Sequence, residues 1–183
     1  MWRSVLVGAA LAGVLAGCSW GSGSSHSGST RLAITAGGTH SLARALVVGC
    51  DQVIGRERSG TSGGYRQVLG VISVPAAYIP QVVRVHGEGW PYWEKSGIGV
   101  RANRLAVTVA VPSAWRRRAA ITWGNGKPAV SVIRFSPCPS PPNVWNGYAG
   151  GFFLRSRGAC VPLVFQIGQR RETVRFGIDR RCA

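Results

Sequence analysis

Three groups of residues in this sequence have side chains suited to chemistry. Ser62 stands in Gly60-Thr61-Ser62-Gly63-Gly64, with His40 and Asp51 upstream. A hydroxyl, an imidazole and a carboxylate within hydrogen-bond reach would make a nucleophilic triad. Only 22 residues separate His40 from Ser62, and nothing in the spacing brings the three together. The glycine and serine content reads instead as a surface loop. The second group is Glu88 and Glu94 around Trp90-Pro91-Tyr92-Trp93, with His86 just before. Two carboxylates beside aromatics could supply the acid and base of a glycan hydrolase. The aromatic faces could equally stack a flat ligand. Large aromatics mostly pack, so no catalytic residue is assigned. Trp90, Tyr92 and Trp93 are kept as candidate binding residues.

The third group is basic. The chain of 183 residues carries 22 Lys and Arg against 6 Asp and Glu, a net charge of +16. Only Lys95 and Lys127 are lysines. Arginines run together at Arg116-Arg117-Arg118, Arg170-Arg171 and Arg180-Arg181. Such a balance speaks to association with anions rather than to a fold. Arg116, Arg117 and Arg118 join the candidate binding residues.

Cysteine usage bears on compartment. Beyond Cys18 there are four: Cys50, Cys138, Cys160 and Cys182. No two have the close spacing of a metal site, and His26, His40 and His86 are scattered, so no metal or cofactor is expected. An even count in an exported domain implies two disulfides, with three possible pairings. Val161, Leu163, Phe165 and Ile167 alternate, as do Val174, Phe176 and Ile178. Folding this stretch at Gln169–Glu172 makes a hairpin with Cys160 and Cys182 at its open end. That favours Cys160–Cys182 and leaves Cys50–Cys138. Strict alternation puts Cys160 and Cys182 on opposite faces, so a bulge near Pro162 or Gly177 is expected to correct the parity.

The elements that must hold these groups read as strands. Leu105, Val107, Val109 and Val111 share one face of residues 104–111 at period two. Similar runs occur at Ala45–Val48, Val68–Val74, Val82–Val85, Ala119–Trp123, Val130–Phe135 and Phe152–Leu154. Asn125-Gly126 and Asn146-Gly147 signal tight turns. Pro137, Pro139, Pro141 and Pro142 stop the strand before them. No amphipathic helix is evident, although residues 40–48 fit either type. The expected fold is all-β: a two-sheet antiparallel sandwich, immunoglobulin-like in general architecture.

The N-terminus gives an address. Arg3 precedes an apolar run from Val5 to Gly17, too short for a membrane span of roughly 20 residues but suited to a signal peptide. It ends in Leu15-Ala16-Gly17-Cys18, which resembles the lipobox of bacterial lipoproteins. The resemblance implies cleavage before Cys18 and a diacylglyceryl anchor on its sulfur. Residues 18–30 then read as a Gly/Ser tether, reaching roughly 20 Å as a flexible coil, and 31–183 as one domain. The expected place is the outer face of the cell membrane.

Further along, Pro137-Cys138, Trp145, Gly150-Gly151-Phe152, Ala159-Cys160-Val161-Pro162-Leu163, Val174-Arg175-Phe176-Gly177 and Arg181-Cys182 resemble a group of exported actinobacterial proteins. The likeness extends to Trp90-Pro91-Tyr92 and Ile121-Thr122-Trp123-Gly124-Asn125. It implies an exported, disulfide-bonded domain and brings no catalytic residues. The expectation is a non-catalytic binding or structural module with a basic surface. Its partners would be anionic lipid or wall polymer, or an envelope protein it serves as accessory subunit, and not nucleic acid. The alternative is an envelope glycan hydrolase using Glu88 and Glu94.

Overall fold

The computed structural model describes residues 45–86, 89–102 and 105–183. Cys18, the leader and tether, His40 and Glu88 lie outside the described residues. Among those described, no helix is long and apolar enough to cross a membrane.

The fold is all-β, with fifteen strands among the described residues. The largest sheet holds six: β1 (Leu46–Val48), β11 (Val132–Phe135), β9 (Val107–Ala110), β14 (Ala159–Ile167), β15 (Arg170–Ile178) and β5 (Tyr78–Ile79), in that order. Its inner pairs are antiparallel, but both edges, β1 on β11 and β5 on β15, pair parallel. A five-stranded sheet runs β2 (Gly55–Glu57), β12 (Trp145–Tyr148), β8 (Ile98–Arg101), β4 (Ile72–Val74) and β3 (Arg66–Val68). A four-stranded sheet runs β10 (Ala119–Trp123), β13 (Gly150–Leu154), β7 (Tyr92–Lys95) and β6 (Val83–Arg84).

The two smaller sheets are one layer. β12 pairs with β8 and β13 with β7 in a single unbroken register, so two long strands cross from one sheet to the other. The crossing is made of glycines with Ser96 and Ala149 because the chains nearly touch there. A Cβ on Gly150 would lie 1.8 Å from the Thr122 carbonyl oxygen, and one on Gly151 would lie 1.8 Å from that of Glu94. The six-stranded sheet covers this bent layer. Phe152 meets Phe176 across the gap (ring centroids 5.5 Å apart), and Tyr148 meets Phe135 (4.8 Å). The result is a two-layer sandwich around one apolar core.

Several local expectations change. Residues 68–74 are a hairpin rather than one strand: β3 and β4 are joined through Leu69, Gly70 and Val71, the first two at positive φ. The Val71 amide donates to the Val68 carbonyl, and a turn closed in this way needs left-handed φ at both central positions. The Leu69 amide donates to the Glu172 carboxylate, which holds the turn against the neighbouring layer. Asn146 and Gly147 sit inside β12, not in a turn. Asn146 is buried and accepts a bond from the Ser140 hydroxyl, and Gly147 allows close approach of β2. The β14–β15 turn lies at Gly168-Gln169, two residues earlier than the sequence suggests, so Arg170 to Glu172 are strand. Gly168 takes positive φ, as a turn with glycine at its first central position requires.

Cys50 bonds Cys138 and Cys160 bonds Cys182. No bulge adjusts the hairpin; Cys160 stays opposite Gly177 in an unbroken register. The correction comes after the strand. Asp179 adopts a positive φ and the chain folds back over Gly177, whose missing Cβ leaves room for the Arg180 carbonyl. Cys182 thus arrives above Cys160 from outside the ladder.

Candidate functional site

Strand pairing brings four connections to one end of the sandwich. β9 ends beside Val164, running towards the start of β14; β15 ends at that start, and β13 ends beside the starts of β10 and β7. The connections are residues 111–118, 155–158, 179–183, and 85, 86 and 89–91. The first three carry arginines in quantity: Arg116, Arg117 and Arg118 follow a short 3-10 turn (Ser113–Trp115), Arg155 and Arg157 lie in the β13–β14 connection, and Arg180 and Arg181 follow β15. All seven are exposed.

Contacts fix part of this array. Arg118 lies over the Trp115 ring, 5.3 Å from its centroid, and Arg155 lies over Trp90 at 4.6 Å. The Arg155 amide donates to the Arg118 carbonyl, holding the two loops together. Arg157 pairs with Asp179 at 2.7 Å. A cleft of about 430 Å³ opens between the loops, lined by Trp115, Arg118, Ser156, Gly158, Cys160 and Arg180. Guanidinium groups braced on indole faces are held ready for an anion, with little rotamer freedom left to lose.

The structure divides the aromatic candidates. Trp90 belongs to the arginine end through Arg155. Tyr92 turns inward and packs against the core. Trp93 points outward and packs on Phe153, with ring centroids 6.3 Å apart. Arg170 and Arg171 stand at the far end of the β14–β15 hairpin, away from the other two runs. The runs at Arg116 and Arg180 do come together. Arg155, Arg157 and Trp115 complete the array, and no pattern in the sequence singles them out; only register places them.

Glu94 does not offer a solvent-open catalytic acid. It pairs across the ladder with Phe152, and opposed residues point to the same side, so its carboxyl lies on the core face. It is 2% exposed, and its Oε2, like the Ser96 hydroxyl nearby, has no hydrogen-bond partner. Burial pushes its pKa from 4.5 up to about 7, and the Ser96 hydroxyl pulls weakly the other way. The unfolded chain ionises this group near its ordinary value while the folded chain resists. Stability is therefore full below about pH 4.5 and falls as pH rises towards 7, by about 3 kcal/mol at most. Glu94→Gln should match the wild type at pH 4 and melt higher at pH 8. Thermal melts at both values check this; parallel curves would refute it.

Among the described residues no three of His, Cys, Asp and Glu come together as metal ligands. Ser62 sits in an exposed 3-10 turn (Ser62–Gly64), and Asp51 is exposed beside Cys50. Comparison with protein-family models, with curated proteins and with solved structures found no match.

Proposed function

We propose that this chain is a non-catalytic module of the cell envelope. Cys18 carries its lipid anchor, residues 18–30 tether it at the outer face of the membrane, and its arginine end binds phosphate-bearing polyanions there. One observation carries the reading: seven exposed arginines from three connections share one end, and two of them are braced on tryptophan. Residues far apart in sequence supply it, so the array is a product of the fold and not of one basic run. Anionic headgroups attract such a patch by about 1 kcal/mol per arginine, an attraction that salt screens.

The test is sedimentation with vesicles containing phosphatidylglycerol, using the chain from residue 31 so that no acyl group contributes. Arg117→Glu, Arg118→Glu and Arg180→Glu together should weaken retention at least tenfold. Raising the salt should release the wild type as well. Retention indifferent to both changes would sink the proposal. Mass spectrometry of the chain taken from its native envelope tests the anchor separately, since Cys18 should then be the lipidated first residue.

A further inference from the structure

The cleft at the arginine end is more selective in its lining than the surface around it. Of the seven arginines there, two line it: Arg118, from the connection after β9, and Arg180, from the segment after β15. Most of the others are engaged elsewhere. Arg155 lies over Trp90, and Arg181 lies over Tyr78 with its guanidinium 5.0 Å from the ring centroid. Arg157 holds Asp179, and Arg116 donates to the Val111 carbonyl at 3.4 Å.

Three features prepare the two cleft arginines for a small anion. Arg118 is braced on Trp115, which lines the same space. Arg180 passes beside Gly158, which takes a φ of +73°; a Cβ there would lie 3.6 Å from the Asp179 carbonyl oxygen and 3.8 Å from the Arg180 side chain. The third feature is the diversion of a carboxylate. Asp179 directly precedes Arg180, yet its Oδ2 accepts from Arg157 Nε at 2.7 Å, and no Asp or Glu lines the cleft. Two positive charges therefore face the space without an internal counter-charge, and the exposed Ser156 hydroxyl adds a neutral donor to them.

Geometry and charge give the ligand's class. Guanidinium groups arriving from two different connections need an anion with acceptors on more than one side. A carboxylate holds both oxygens in one plane, where a single guanidinium fork satisfies them. A phosphate group is tetrahedral and can meet both arginines and the Ser156 hydroxyl. A phosphomonoester near pH 7 is mostly a dianion, matched to two fixed charges, whereas a diester carries only one. The space of about 430 Å³ is at the small end of ligand pockets, with room for the phosphate and the short unit that bears it. We propose that the cleft between Arg118 and Arg180 binds one phosphomonoester carried on a short polyol. Such a site rests on the polyanion reading of this end and narrows it, from a charged face to a place filled once per chain.

The experiment is an amide NMR titration of the full chain, in micelles of an uncharged detergent, with glycerol 3-phosphate. Glycerophosphoglycerol supplies the diester arm and acetate the carboxylate arm. Glycerol 3-phosphate should shift Ser156, Gly158 and Arg180 saturably, with a roughly millimolar Kd, and bind more tightly than either. Arg180→Gln should weaken it about tenfold, the loss of a charge-assisted bond. Arg170→Gln removes the same charge at the far end of the β14–β15 hairpin, beyond the reach of screened charge, and should stay within about twofold of the wild type. Ser156→Ala removes no charge, so a merely basic surface predicts no change, while the cleft predicts weakening of about threefold. Binding should also fall as pH drops through about 6, where the phosphate takes up its second proton and arginine stays charged. Given that binding, stronger retention on phosphatidic acid vesicles than on phosphatidylglycerol makes a headgroup the source, and equal retention makes it a free or polymer-borne polyol phosphate. The proposal is overturned if these amides show no saturable shift, if the diester or acetate binds as tightly, or if Arg180→Gln and Ser156→Ala bind unchanged. Vesicle retention without saturable binding of glycerol 3-phosphate keeps the polyanion surface and removes the cleft; saturable binding without vesicle retention does the reverse.

Discussion

Replacing Cys50 and Cys138 together by serine should cost the domain about 4–5 kcal/mol, the largest loss expected from any pair of changes here. The bridge spans 88 residues, and closing so long a loop removes much freedom from the unfolded chain. The Cys160–Cys182 bridge spans only 22, which by the same reasoning is worth about 3–3.5 kcal/mol. Native geometry widens the difference. Cys160 stands in a nine-pair hairpin that already holds its ends together. Cys50 follows β1, which has three residues and joins the six-stranded sheet only at β11, helped by a bond from the Ser136 amide to the Val48 carbonyl. Without its bridge that edge has little to retain it. Urea melts of the two double-serine variants should rank them in this order; equal midpoints would contradict the loop argument.

Gly151→Ala should be nearly as severe, at about 4 kcal/mol or more, or roughly 10 °C or more in melting temperature. Its new methyl group would have to sit 1.8 Å from the Glu94 carbonyl oxygen, and backbone cannot step aside as a flexible side chain can. The ladder between β13 and β7 would have to part where the two strands cross between sheets. Gly55→Ala is the matched control. It lies on the same layer, has nothing within 4 Å of the added atom, and should change stability by no more than about 0.5 kcal/mol. If both variants melt alike, close approach is not what the crossing glycines provide.

Much of the architecture can be read from the chain, and the exceptions share a cause. Val161 to Ile178 alternate cleanly, so their hairpin follows from period two; it brings Cys160 and Cys182 to one end, although the same alternation sets them on opposite faces and only the fold-back at Asp179 joins them. β9, β10 and β11 announce themselves in the same way. Tyr92–Arg101 and Trp145–Leu154 do not, because the two strands that change sheets spend glycines where they cross and so lose their alternation. Asn146-Gly147 imitates a turn for the same reason: glycine serves close approach as well as reversal. At the sites, arginine abundance is visible in the sequence, but the meeting of Arg118, Arg155 and Arg180 depends on which strands end together. The row of Gly55, Gly147 and Gly99 leaves no local trace, since glycines on three separate strands become a row only through register. Glu94 looks like a possible acid in a Trp-rich stretch, and its pairing with Phe152 turns it inward.

The short margins of the sheets bear on how this molecule behaves when crowded. β1, β2 and β3 have three residues each, β5 and β6 only two, and β10 has its outer side occupied by a bridge to Val130. Arg56, Arg66 and Arg84 lie in three of those brief strands. A neighbouring copy would find little unpaired backbone to extend, and a positive charge on three of the six margins. Part of the arginine content thereby guards against aggregation, a duty quite apart from any ligand, and concentrated solutions should stay clear.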